Sequence, residues 1–335
     1  MTRERSERRR DGALVRRIVR DRLGAAVARV RRQPYGHSSR VYDVTLARRR
    51  GGGGGGGGGG APDPDSGNVI VRLNPHPRVF RGTAQTIAAL GRRGLPVPRL
   101  LAEDSSLARY PLAFVLLRKV PGRDLGCALP GMTVAQMESV AAGVVAVQRS
   151  VTAMPAGQGY GFVPLGRPGS HPTWEALIER DAVRATAGAA GALAPALERD
   201  LGAALDRHRR ALRAQPAVCF LDDLTTKNVI VRRGRLSGIV DLDVVCYGDP
   251  LYWLSLTRTA VRADVGPPGE PYLDALDRGW PEAAAAAGRL ALYGAIHGLD
   301  FLGRAHRSGN AAAVARLRPA VAAAIATARR APGGA

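Results

Sequence analysis

The stretch Cys219-Phe220-Leu221-Asp222-Asp223-Leu224-Thr225-Thr226-Lys227-Asn228-Val229-Ile230-Val231-Arg232-Arg233-Gly234-Arg235-Leu236-Ser237-Gly238-Ile239-Val240-Asp241-Leu242-Asp243 decides how the chain is read. Two apolar runs, 229–231 and 237–240, flank a turn that contains Gly234, and this pattern predicts a β-hairpin. A turn centred on Arg233-Gly234 sets Asn228 opposite Ile239 and Asp241 opposite Thr226. Neighbouring strands lie ~4.8 Å apart, so an amide oxygen and a carboxylate converge at the open end of the hairpin. Hard oxygen ligands gathered there suit Mg²⁺, which keeps several waters and completes its shell with phosphate oxygens. Asp223 lies in the loop leading into the hairpin and reaches the space just beyond. A carboxylate that orients a hydroxyl, followed by an asparagine and an aspartate on a metal, is the set that phosphoryl transfer uses.

Outward from the hairpin, the rest of the chain divides in two. Residues 1–11 read as a disordered basic tail, and Leu14, Ile18, Val19 and Leu23 recur at helical spacing over 13–23. Strand patterns at 26–31, 41–46 and 68–73 enclose a turn-rich segment at 34–39 and a flexible insertion at 51–67 that holds ten consecutive glycines. A helix over 83–94 stops at Gly94, Pro96 and Pro98 impose extended backbone, and 112–117 is a further strand. Val120-Pro121-Gly122 breaks that strand. The expected organisation is therefore a β-rich lobe at 12–117, a hinge at 118–122 and a helical part at 123–335. Helical patterns in the last fall at 133–152, 173–187, 191–214, 250–263, 282–304 and 309–330.

With these elements placed, the sequence resembles the aminoglycoside phosphotransferase family, a branch of the protein-kinase-like superfamily. Its pattern is H-G-D-x-x-x-x-N, an apolar strand, a turn, and I-D-[FW]-[ED]. By that resemblance Asp223 is the catalytic aspartate, Asn228 and Asp241 are metal ligands, and Asp243 is the acidic residue two positions on. Gly248-Asp249-Pro250 is similar to the family's G-D-P, although Asp249 ahead of Pro250 also reads simply as a helix cap. The segment 36–42 resembles the phosphate-covering loop, which brings in Gly36, Ser38 and Ser39. Residues 69–73 look like the third strand, with Arg72 as the base that contacts phosphates; 114–122 looks like the hinge strand that bonds adenine, with Leu117 and Lys119. The resemblance implies a two-lobed α+β kinase-like fold, an antiparallel-sheet N-lobe with a helix and a mainly helical C-lobe. It also implies ATP and Mg²⁺ as cofactors. The γ-phosphoryl group would pass to a hydroxyl of a small molecule, either an antibiotic such as an aminoglycoside, hence resistance, or a related metabolite. Lys227, one of two lysines in the chain, is either a catalytic-loop cation beside the γ-phosphate or a solvated side chain. The sequence departs from the pattern where Leu221 and Asp222 replace the histidine and glycine, and where Thr83 stands near the position of the helix glutamate.

For the acceptor, the family's use of C-terminal acids points to Asp264, Glu270, Asp274, Asp277 and Asp300. Tyr293, His297, Asp300 and Arg304 share one helical stripe, which lines a cleft or forms a solvated face. The acids are few and their surroundings basic, which favours a neutral or mildly charged acceptor over a polycation.

Composition narrows the alternatives. The 335 residues are 45% hydrophobic and 23% charged, as in an ordinary globular chain. Three cysteines without CxxC spacing argue against a disulfide framework or structural zinc, and a reducing cytoplasm is the default. No membrane association is expected. The net charge is +21, of which residues 1–50 carry +11, but only Tyr35 and Tyr42 are interleaved there for base stacking. A basic nucleic-acid-binding protein is thus one alternative. A catalytically weak or inactive kinase-like protein that binds nucleotide or a partner is the other, motivated by Leu221 and Thr83. Monomer and homodimer both remain open.

Overall fold

The structure is a computed structural model that describes residues 2–34, 39–47 and 67–332. Gly36, Ser38 and nearly all of the glycine-rich insertion lie outside the described residues. The chain divides into two compact units, residues 1–122 and 123–335.

The first unit holds α1 (Thr2–Leu23), β1 (Val27–Arg32), β2 (Arg40–Leu46), β3 (Val69–Asn74), α2 (Thr83–Arg92), β4 (Leu100–Asp104) and β5 (Ala113–Arg118). The strands form one antiparallel sheet in the order β1-β2-β3-β5-β4. In β3 the residues Val69, Val71 and Leu73 are fully buried, as period-two alternation requires. They meet Val15, Ile18 and Val19 of α1 in a core shared with Tyr42, Phe114 and Leu116. Each such side chain withdrawn from water stabilises the unit by about 1.5–3 kcal/mol. The helix begins at Thr2, far ahead of the expected start at residue 13, so residues 2–11 are helical where a disordered tail was expected. Its polar sequence hid a tertiary anchor. Asp11, only 3% exposed, accepts from the Tyr42 hydroxyl at 2.5 Å and from Arg40 at 3.1 Å. Strand β4, which the sequence reading missed, is the sheet edge and pairs with β5 across a bulge. The segment expected as a hinge starts inside the sheet: Arg118 ends β5, and the Lys119 amide donates to the Asn68 carbonyl at 3.1 Å.

The second unit holds β6 (Arg123–Asp124), α3 (Leu125–Ala128), α4 (Val134–Thr152), β7 (Gly161–Val163), α5 (Trp174–Gly188), α6 (Pro195–Arg213), β8 (Val218–Phe220), β9 (Val229–Arg232), β10 (Arg235–Ile239) and β11 (Val245–Gly248). Helices α7 (Leu251–Asp264), α8 (Glu270–Gly279), α9 (Glu282–Ala285), α10 (Ala287–Arg307) and α11 (Ala311–Arg330) complete it. Two small antiparallel sheets, β10-β9-β6 and β7-β11-β8, sit among the helices. Helix α4 opens with a capping box between Thr133 and Gln136. The single helix expected over 282–304 is two, α9 and α10, and α8 precedes them unforeseen. Helix α11 is long and apolar enough, by length and composition, to cross a membrane. It buries the stripe Leu317, Val321, Ile325 and Ala328 against α10 and α6.

Candidate active site

The hairpin β9–β10 forms, with a refinement that matters to the site. Arg233 (φ 51°) and Gly234 (φ 73°) are both left-handed, which is the tight turn whose twist matches paired strands. A bulge between Leu236 and Gly238 then shifts the register by one. Asn228 consequently lies opposite Val240, whose amide donates to the Asn228 carbonyl at 2.9 Å, and not opposite Ile239. Asp241 is one step nearer to Asn228 than the expected register gave. Its own backbone is left-handed (φ 64°), an unusual state for a non-glycine residue.

The loop before the hairpin is held from several sides. The buried Gln148 of α4 donates its amide to the Leu221 carbonyl at 2.7 Å and accepts from the Leu221 amide at 3.0 Å. Thr257 of α7 donates to the Leu224 carbonyl at 3.1 Å, and the Gly126 amide donates to the Thr226 carbonyl at 3.0 Å. Asn228 Nδ2 donates to the Asp223 carbonyl at 3.0 Å, and the Thr225 hydroxyl donates to Asp223 Oδ1 at 2.6 Å. These bonds leave Asp223 exposed, and Lys227, further along the same loop, is exposed as well. Asn228 and Asp243 are each 8% exposed. Burial, and the neighbouring Asp223 and Asp241 carboxylates, push the Asp222 carboxyl up to about 7. Among the described residues no group of three or more His, Cys, Asp or Glu side chains is placed to hold a metal unaided. An amide oxygen and carboxylates that repel one another nevertheless fit a divalent cation that takes its remaining ligands from phosphate and water.

Gln148 and Thr257 escaped the sequence reading. Gln148 carried a signal: it is a polar residue on the buried face of α4, among Val144, Val147 and Val151. A polar side chain at a core position needs a partner, and here the partner is the backbone at Leu221. It braces the loop at Leu221, the position where the family pattern has histidine.

In the first unit, Ser39 is 6% exposed and lies within 3.5 Å of Asn74 Nδ2. Arg72, also 6% exposed, lays its guanidinium over the Phe80 ring at 5.3 Å. Lys119 pairs with Asp43 at 3.2 Å, and Leu117 is buried in β5.

The acceptor candidates separate. Asp264, at the end of α7, accepts from the Thr226 hydroxyl at 2.6 Å and so joins the loop. Tyr293 and His297 do not line a cleft; both are core. Tyr293 donates to Asp249 at 2.9 Å and accepts from the Trp174 indole at 2.8 Å. His297 packs on the Tyr252 ring at 4.2 Å, and burial pushes its imidazole down to about 4. Asp300 is paired with Arg304 at 2.7 Å, toward the end of α10 that emerges from the core. The stripe is real, but it runs from interior to surface. Asp249 serves as a cap for the Leu251 amide at 3.0 Å and also binds Arg289 at 2.6 Å.

A family model described as phosphotransferase enzyme family (APH) matches residues 30–286. No curated protein matches the sequence. Among solved structures the fold is similar to that of a thermostable mutant of aminoglycoside phosphotransferase APH(4)-Ia in ternary complex with AMP-PNP and hygromycin B. That similarity has a TM-score of 0.66 and 18% identity over 95% of this chain and 99% of that one. A putative fructosamine-3-kinase from Thermobifida fusca YX-ER1 gives 0.60 and 20%, covering 95% and 99%. The GDP and kanamycin complex of APH(2")-IIia gives 0.63 and 12%, covering 92% and 97%.

Proposed function

The chain belongs to the phosphotransferase enzyme family, and from that premise we propose that it moves the γ-phosphoryl of ATP to a hydroxyl of a small molecule. The observation that carries the reading is the open end of the β9–β10 hairpin. There the bulge and the left-handed Asp241 bring an aspartate toward Asn228, beside a loop fixed to present Asp223. Asp223 orients the acceptor hydroxyl and takes its proton as the new bond from its oxygen to the γ-phosphorus forms and the bond from that phosphorus to the β–γ bridging oxygen breaks, with ADP leaving. Asn228 and Asp241, assisted by Asp243, would hold Mg²⁺, which when bound neutralises charge on the phosphate oxygens. Lys227 stands at the loop tip to meet charge that develops on the transferred group. Arg72 and Ser39 are the described side chains assigned to phosphate binding. Catalysis in this scheme is positioning and charge neutralisation.

The acceptor is best read as neutral or weakly charged. Two acids that a polycation would need are already matched: Glu270 with Arg262 at 2.9 Å and Asp300 with Arg304 at 2.7 Å. A screen of hydroxylated metabolites and antibiotics with MgATP, read as a mass gain of one phosphate, tests this. Phosphorylation of an uncharged polyol or sugar ahead of any aminoglycoside is the expected result. Preferential phosphorylation of a polyamine sugar would contradict the acceptor assignment, and MgATP binding without phosphorylation of any compound would favour a silent nucleotide-binding relative.

A further inference from the structure

Helix α7 has two working faces. Thr257 and Asp264, seven residues apart, lie on one line of the helix and hold the catalytic loop. At about 100° per residue, Ser255, Thr259 and Arg262 lie about half a turn round from that line. They wall a separate cleft of about 570 Å³, closed by α9, α10 and α11. The volume lies in the range of small-molecule sites, and the walls are mostly apolar, as such sites are.

The cleft exists because its walls are built from small residues: Ala287, Ala291 and Gly294 on one side, Ala320 and Ala324 on the other. A Cβ at Gly294 would meet only Ser255 Oγ, at 3.7 Å, so the helix does not need a glycine there for packing. The polar lining groups are hydroxyls, two guanidinium groups and one carboxylate. Ser255 is 1% exposed, and its Oγ has no hydrogen-bond partner among the described residues. Asp277 Oδ1 is likewise buried without a partner, while its other oxygen faces Arg258. The cleft's second arginine, Arg262, is spent on Glu270 through two bonds of 2.9 and 3.0 Å. Each guanidinium thus has a carboxylate, and what remains unmet is an acceptor at Asp277 and a hydroxyl at Ser255. A buried polar atom without a partner costs about 1–3 kcal/mol, a cost that a ligand supplying a donor removes.

We propose that this cleft is a binding site, separate from the catalytic loop, for an elongated apolar molecule whose polar end donates hydrogen bonds, an aliphatic amine or alcohol. The apolar part lies along the alanine walls between α10 and α11, and the donating head reaches Asp277 Oδ1 and Ser255 Oγ. A carboxylate head is rejected, because it would face Asp277 with no free cation to offset the repulsion.

Dodecylamine and dodecanoate, below their aggregation concentrations, are the probes, titrated calorimetrically into the full chain. The net charge of +21 opposes non-specific uptake of an ammonium, so saturable binding of the amine reports a local site. One site for dodecylamine is expected, with dodecanoate weaker by at least about tenfold. Gly294→Leu, which fills the cleft from α10, should weaken the amine by at least about tenfold, and Ala324→Leu should do the same from α11. Ser255→Ala should weaken it by about threefold to tenfold. Absence of saturable amine binding, equal binding of the carboxylate, or amine binding indifferent to both filling variants overturns the proposal. None of these readings involves phosphoryl transfer, so they stand apart from the fate of the proposed activity.

Discussion

The loop before the β9–β10 hairpin and the stripe on α10 contrast within one unit. Both carry polar side chains that the sequence offered as site candidates, the stripe with a solvated face as its alternative. In the loop the polar atoms that hold the chain are spent on backbone groups: Gln148 on Leu221, Thr257 on Leu224, Asn228 on Asp223. The side chain of Asp223 is thereby left at the surface. On α10 the polar atoms of Tyr293 and His297 are spent inward, on Asp249, Trp174 and Tyr252, and their side chains are the part that disappears. A functional loop is recognised by what its bracing leaves exposed, and a structural network by what it consumes.

Mutations at the two places should therefore behave differently. The largest effect on stability belongs to Gln148→Leu, which strands both buried backbone groups of Leu221 at about 1–3 kcal/mol each. Stability should fall by that amount, and turnover should fall by about 10–100-fold in the folded fraction, since the loop loses its brace. Denaturant unfolding combined with steady-state kinetics reads both; unchanged turnover in the folded variant would separate the brace from the activity.

His297 gives a pH test of the α10 network. Its folded-state value of about 4 lies below the ordinary 6.5, so the unfolded chain takes up the proton first as pH falls. Its contribution to stability is fully present above pH 6.5 and lost between about pH 6.5 and 4, at about 3 kcal/mol in all. Thermal unfolding across that window should show the fall, and His297→Phe should flatten it.

Tyr293→Phe removes two buried hydrogen bonds and should cost about 1–3 kcal/mol while leaving the KM for the acceptor unchanged. A raised KM with intact stability would return Tyr293 to the acceptor site. The smallest effect is expected at Asp300→Asn, under about 0.5 kcal/mol and without kinetic consequence, because its partner Arg304 is a half-exposed i,i+4 neighbour.

The legibility of this chain followed the range of the forces involved. Hairpin β9–β10, four of the five strands described in the first unit and most helices were readable, because periodicity and turn residues such as Gly234 act over a few neighbours. The bulge at Ser237 was not, since it depends on what lies on either side of the strand, and it shifted Asn228 and Asp241 closer together. The helical state of residues 2–12 depends on Asp11 finding Tyr42 and Arg40, a contact some thirty residues away. Strands β7, β8 and β11 are three or four residues each and take their state from one another. The assignment of the α10 stripe failed for a related reason: helical spacing identifies a common face but not whether that face looks inward.

Proton transfer in the proposed reaction rests on Asp223. Once a screen supplies an acceptor, turnover and MgATP affinity measured side by side for the native chain and Asp223→Asn decide it. The expected result is a loss of about 10²–10⁴-fold in turnover with MgATP affinity within about twofold of the native value. Turnover retained to within a few-fold in the Asn variant would remove Asp223 from proton transfer and with it the reading of the loop.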